Sequence, residues 1–284
     1  MSLWSLAVFW AITFTMFAPT LCAAQSVFVS IPPQAFLVDR LAGDLVQIEV
    51  LLPPAASPAT YEPTPKQMAA LGRSQLYLQI GAPFEKAVLE KVADLMPDLP
   101  IVDCREGVRL ESIESGDHHH GGGPLDPHIW LDPHRMKVIA GTTAKALKKL
   151  LPAQEPGIEK RLAGLTRDID ESDRCIKEIL APYAGRTFLV FHPAYGYFAR
   201  RYNLVQKPVE VEGKSPSARR LVAIVGELQS QEIRALFVQP QFSRSSAERI
   251  AEALDCDLVV LDPLAQDYLE NLEYMATAIA EALQ

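Results

Sequence analysis

Short apolar runs rich in β-branched residues recur along the first part of the chain, each closed off by turn-forming residues. Val27–Ile31, Val46–Leu52 and Gln75–Ile80 read as strands, the second bounded by Gly43-Asp44 and Pro53-Pro54. Pro33–Leu41 and Lys66–Gly72, between them, read as helices. Strands alternating with helices predict parallel βαβ units, and in such sheets ligands collect at the loops beyond the carboxyl ends of the strands. The period then changes. Pro133 to about Leu151 is helical and is broken by Pro152 and Pro156. From Gly157 to Leu180, apolar residues at Ile158, Leu162, Leu165, Ile169, Ile176 and Ile179 stand at near-helical spacing with charges between them, interrupted only by Gly164. This is the candidate linker. Strand-like runs resume at Arg186–Phe191, Arg234–Gln239 and Leu258–Leu261. The pattern predicts an α/β chain with a first unit over 25–155, a helical segment over 156–182 and a second unit over 183–284.

Composition narrows the class. With 49% hydrophobic and 22% charged residues the chain is globular rather than disordered. A net charge of −8 argues against a nucleic-acid partner, which needs a basic face. Residues 3–21 form an uncharged apolar run followed by Cys22-Ala23-Ala24, which predicts a secretory signal over 1–24, cut near Ala24. The n-region has no Lys or Arg and the run is nearly long enough to span a membrane, so an uncleaved anchor is the alternative. Pro19-Thr20-Leu21 lacks the small residue expected ahead of a lipid-modified cysteine, which favours a soluble, monomeric periplasmic protein. Export permits disulfides. Cys104, Cys175 and Cys256 would remain, and one bridge with one buried thiol is expected in preference to a thiolate metal site, because no Cys-x-x-Cys spacing occurs.

The chemistry concentrates in a few stretches. In Asp126-Pro127-His128-Ile129-Trp130-Leu131-Asp132-Pro133, Asp132 reads as a helix N-cap and Pro133 as the first helical residue, leaving His128 in the loop just ahead. Upstream, Asp117-His118-His119-His120-Gly121-Gly122-Gly123 has a composition suited to loose metal contact. His192 follows a buried strand, and Asp262 follows another. Taken alone, His192 also reads as a hydrogen-bonded loop histidine, and Asp262 as the start of an Asp-Pro turn. His134 reads as an exposed first-turn residue. Lys207–Ser217 reads as a solvated connection rather than a docking patch. Trp130, Tyr195, Tyr197 and Phe198 read as packing residues that seal a cleft.

Together with Ser57-Pro58-Ala59-Thr60-Tyr61-Glu62-Pro63-Thr64-Pro65, the run from Phe191 to Phe198 and Leu261-Asp262-Pro263-Leu264, these motifs resemble the zinc/manganese family of ABC-transporter solute-binding proteins over residues 26–284. The resemblance implies two lobes, each with a mostly parallel sheet flanked by helices, joined by a long linker helix with the metal site in the interlobe cleft. It implies His128, His192 and Asp262 as ligands and an ABC permease in the membrane as partner. Two imidazoles and a carboxylate suit Zn²⁺, with Mn²⁺ second. Family members carry a histidine where this chain has Ala59, so the implied set drops from four ligands to three. A fourth donor is then a water, Glu62, or one of His118, His119 and His120. Glu62 also reads as a first-turn helix acid. Three ligands and an open position allow a second reading, a zinc-dependent hydrolase with Glu62 as general base, although no His-Glu-x-x-His helix or nucleophile elbow is present. A third reading is a metal-binding adhesin on the same fold.

Overall fold

The apolar runs pair into two separate parallel sheets. A computed structural model describes residues 25–113, 124–210, 217, 219, 222, 223, 226 and 233–284. The expected export signal and the His118–His120 tract lie outside the described residues. In the first lobe, β1 (Gln25–Val29), α1 (Pro32–Ala42), β2 (Val46–Val50), α2 (Pro65–Leu71), β3 (Leu76–Gln79), α3 (Glu85–Leu95) and β4 (Ile101–Asp103) build a sheet in the order β2-β1-β3-β4. After α4 (Pro133–Leu150) and α5 (Glu155–Leu180), a second sheet forms from β5 (Thr187–Val190), β6 (Val205–Pro208), β7 (Ala235–Val238) and β8 (Asp257–Val260), in the order β6-β5-β7-β8. The helices α6 (Gly196–Arg201), α7 (Arg244–Leu254) and α8 (Tyr268–Ala282) belong to this half. Every strand pair in both sheets is parallel. Central strands covered on both faces must be apolar throughout. Accordingly Val27, Phe28 and Val29 of β1 and all of Ala235–Val238 in β7 are buried, whereas the edge strands β4 and β8 expose Ile101 and Val260.

The long helix is the mechanical link. α5 runs for 26 residues and buries Ile158, Leu165, Ile169, Ile176 and Leu180 along one stripe. Each such side chain contributes roughly 1.5–3 kcal/mol on burial. The stripe packs on α8, α4 and α1, so one apolar core runs from Val27 of the first sheet through Ile169 to Phe188 and Phe237 of the second. A smaller core, from Leu189 and Leu236 to Ile250, fills the far face of the second sheet.

Other expectations are corrected. Cys104, Cys175 and Cys256 are all free thiols. They stand on separate parts of the fold: Cys104 follows β4 and is buried beside Thr143, Cys175 lies on α5, and Cys256 directly precedes β8. A bridge needs Cα atoms within about 4.4–6.8 Å of each other. Glu62 is not a first-turn acid. The cap of α2 is Thr64, whose side chain accepts from Gln67 N while Gln67 Oε1 accepts from Thr64 N, and Glu62 lies before it, exposed. Nor is Lys207–Ser217 a solvated loop from its start, because Lys207 and Pro208 belong to β6 and Val209 and Glu210 are buried.

An ionic cluster fastens the second lobe to α4 and α5. Arg201 of α6 forks onto Asp173 of α5, with Nε to Oδ1 at 2.7 Å and Nη2 to Oδ2 at 2.6 Å, while Lys177 Nζ reaches Oδ2 at 2.6 Å and the Tyr202 hydroxyl donates to Oδ1 at 3.1 Å. Burial alone would raise the Asp173 carboxyl, but the hydrogen bonds and charges of Arg201 and Lys177 outweigh it and hold the group at about 2. A carboxyl depressed in this way stabilises the fold fully above its ordinary value, and the contribution is lost as pH falls through about 2. Removing one partner of a buried pair leaves the other uncompensated, so Arg201→Ala is expected to cost roughly 3 kcal/mol at neutral pH. Urea unfolding checks this. The deficit should shrink as the pH is lowered below 3.8, the ordinary value for the carboxyl, and an unchanged deficit there would contradict the assignment.

Candidate metal centre

Two short backbone devices bring the histidines to the cleft. In the first lobe, Asp126 is held by its N–H to Glu111 O at 2.8 Å, and its side chain turns back on the chain two residues ahead. Asp126 Oδ1 accepts from His128 N at 3.0 Å and meets His128 Nδ1 at 2.7 Å. This is an aspartate turn that fixes both the backbone and the ring of the histidine. The chain then makes one 3₁₀ turn, Ile129–Leu131, and enters α4 with Asp132 accepting from His134 N, as the sequence predicts. In the second lobe, His192 follows β5 and Phe191. The β5–β6 pairing continues through Val209 N to Val190 O at 2.9 Å and Glu210 N to Phe191 O at 3.0 Å, and so delivers Glu210 beside the histidine. His192 Nδ1 lies 2.5 Å from Glu210 Oε1, and His192 O accepts from Gln239 Nε2 at 3.0 Å.

The two imidazoles face each other across the lobes, ring centroids 5.4 Å apart and planes at 75°. Trp130 stands edge-on to His128 at 5.5 Å, and Phe242 lies against His192 at 5.0 Å. Both carboxylates behind the rings are buried, Asp126 at 1% and Glu210 at 8% exposure. A carboxylate only accepts, so the ring nitrogen that faces it carries the proton and the neutral imidazole keeps its lone pair on Nε2. Both histidines thus offer Nε2. Histidines backed by carboxylates in this way are the arrangement that metal sites use to orient the ring and raise its basicity.

Asp262 is placed at the carboxyl end of β8, in the same sheet as His192 and separated from β5 by β7. Its Oδ1 accepts from Leu264 N and Gln241 Nε2, both at 3.0 Å. Burial, reinforced by the charge of Asp262, raises the Tyr195 hydroxyl well above its usual range, and that hydroxyl donates to Leu261 O at 2.9 Å. Among the described residues, no group of three or more His, Cys, Asp and Glu stands together as a metal-holding set. The structure therefore brings His128 and His192 together without gathering Asp262 into a three-residue group with them. Ala59 is exposed in a turn closed by Thr60 N to Ser57 O at 3.2 Å, with Glu62 exposed nearby in the chain. His134 is exposed, meets Arg201 Nη1 at 3.0 Å, and is pushed down by burial and by the cations Arg201 and Lys137.

Asp126 and Glu210 were not among the expected residues. Asp126 was readable from its position two residues before the histidine. Glu210 sits 18 positions from its partner, and no local spacing announces it.

Two parallel-sheet lobes bring a pair of histidines together where the loops at their strand ends meet. Residues 27–282 match the family described as ZnuA, zinc-uptake complex component A, periplasmic. The chain belongs to this family, whose members are the metal-binding components of a high-affinity uptake system. It is 28% identical over 271 residues to the high-affinity zinc uptake system protein ZnuA of Yersinia pestis, covering 85% of this chain and 84% of that protein. It is also 26% identical over 257 residues to a putative metal-binding protein of Chlamydia trachomatis, covering 90% and 91%. A crystal structure of ZnuA superposes with a TM-score of 0.85 at 38% identity, covering 92% of this chain and 100% of that one.

Trp130 ties the histidine loop to the other lobe, since its Nε1 donates to Pro263 O at 2.7 Å and its own carbonyl accepts from the Tyr268 hydroxyl at 2.7 Å. Trp130→Phe keeps most of the ring but leaves the buried carbonyl without its donor. A loss of about 1–3 kcal/mol in unfolding free energy is expected, and an unchanged denaturation midpoint would show that this contact holds nothing.

Proposed function

We propose that the interlobe cleft captures one divalent cation, zinc in preference to manganese, on Nε2 of His128 and Nε2 of His192, with Asp262 supplying the carboxylate and a water the remaining position. The observation that carries the reading is the facing histidine pair, 5.4 Å between ring centroids, each ring backed by its own buried carboxylate. Nitrogen donors with one carboxylate suit a borderline cation, whereas calcium and magnesium want oxygen. Asp126 and Glu210 hold the rings in place before the ion arrives, so little ordering remains to oppose binding. The 1–24 segment acts as a cleaved export signal, in keeping with the periplasmic family, and the loaded receptor hands its ion to an ABC permease in the membrane. The exposed Glu62 and the tract His118 to His120 serve at most as auxiliary donors.

The hydrolase reading is set aside, because the chain belongs to a receptor family. Adhesion is named for a distant structural neighbour, a laminin-binding adhesin of Streptococcus agalactiae at 22% identity, a likeness that shows the fold alone.

Calorimetric titration of the mature, metal-stripped protein with Zn²⁺ and Mn²⁺ tests the proposal. Zinc should bind one to one and more tightly than manganese. His128→Ala should weaken it by more than the roughly 10–100-fold typical of losing an outer hydrogen-bond partner, and Ala59→His should tighten it. If zinc binds His128→Ala as tightly as the wild type, the cleft is not the site.

A further inference from the structure

The aspartate behind His128 is itself held from the other lobe. Gly196, the first residue of α6, approaches the Asp126 carboxylate so closely that a Cβ there would stand 2.9 Å from Oδ2. Asp126 has little freedom to move aside, because its Oδ1 is engaged by both His128 N and His128 Nδ1. The next residue, Tyr197, donates its hydroxyl to Asp126 O at 3.2 Å and accepts from Glu111 N at 2.9 Å. Two guanidinium groups stand over its ring, Arg135 at 4.3 Å and Arg200 at 4.9 Å from the centroid. Both guanidiniums end on the same carboxylate: Arg135 pairs with Glu111 Oε1, and Arg200 Nε reaches Oε2 at 2.6 Å. Glu111 and Asp126 are joined by their own backbone bond and flank the antiparallel bridge between Ser112 and Leu125. A tyrosine that merely filled space would need neither the two-way hydroxyl nor the paired cations.

We infer that Gly196 and Tyr197 are positioning residues: the second lobe sets the rotamer of Asp126 and, through it, the ring orientation of His128, so that the two histidines are in register before an ion arrives. This rests on His128 being a ligand, as proposed above. The glycine supplies the close approach, and the tyrosine fixes the backbone on either side of the bridge. Outer hydrogen-bond partners of metal-binding histidines typically govern affinity by roughly 10–100-fold, which sets the size of effect to look for.

The test compares Gly196→Ala and Tyr197→Phe with the wild type in three measurements: zinc affinity, unfolding midpoint, and the ¹H–¹⁵N spectrum of the histidine rings in the metal-free protein. Gly196→Ala should shift the His128 ring signals, leave those of His192 in place, and weaken zinc by about tenfold or more. Tyr197→Phe, which keeps the ring under the guanidiniums, should do the same to a smaller degree with little change in midpoint. If Gly196→Ala fails to fold, Tyr197→Phe decides. Unchanged His128 signals in the folded variants overturn the inference. So does a loss of affinity accompanied by equal shifts at His128 and His192 and a proportionate fall in midpoint, which would mark general loosening. If the wild type binds no zinc, the proposed function fails, while the His128 ring shift in the metal-free variants still decides this inference.

Discussion

The cleft depends on one repeated interaction, a buried carboxylate bonded to Nδ1 of a histidine. Asp126 holds His128 at 2.7 Å and Glu210 holds His192 at 2.5 Å, one pair in each lobe. Without the carboxylates either ring could present either nitrogen and could rotate about its side-chain bonds. With them, the tautomer and the direction of the lone pair are both set. The two pairs are built differently, Asp126 through a local turn and Glu210 through strand pairing beyond β6, yet both deliver the same free atom. The two carboxylates are not equally satisfied: Asp126 Oδ1 is engaged by both His128 N and His128 Nδ1, whereas Glu210 Oε2 is buried without a hydrogen-bond partner among the described residues.

The second constraint is that the lobes are not independent bodies. The apolar stripe of α5 and the buried Tyr268 of α8 lie in one continuous core with residues of both sheets. Polar contacts repeat the connection at the surface of that core: Trp130 to Pro263, Tyr268 to Trp130, Tyr197 to Asp126 and Arg201 to Asp173. Separating the lobes would expose the core and orphan these groups together. At the proposed site between the lobes, an ion would meet a largely preformed cleft, where the ordering cost of binding has already been met in folding.

Much of this was legible in the chain. The apolar runs of the central strands β1, β3, β5 and β7 announced themselves because strands covered on both faces tolerate few polar residues, and the edge strands β2 and β8 through their β-branched residues. Asp132-Pro133 marked the start of α4 because capping is a local matter. The three-residue β4 was too short to leave a pattern, and the helices Glu85–Leu95, Arg244–Leu254 and Tyr268–Ala282 were not read from their spacing. The disulfide expectation failed because counting thiols says nothing of where the fold puts them. Glu210 was hidden in a charged stretch that looks solvated, since burial of a charge depends on a strand pairing between distant segments. His128 and His192 were recognisable as candidates, whereas their supporting carboxylates required the tertiary structure.

The most direct measurement is a crystal structure of the zinc-loaded mature protein with anomalous data collected at the zinc edge. A single strong peak between the two rings, about 2.0–2.1 Å from both Nε2 atoms, is the result predicted here. A peak bound to one histidine alone, or lying away from the facing rings of His128 and His192, would contradict it.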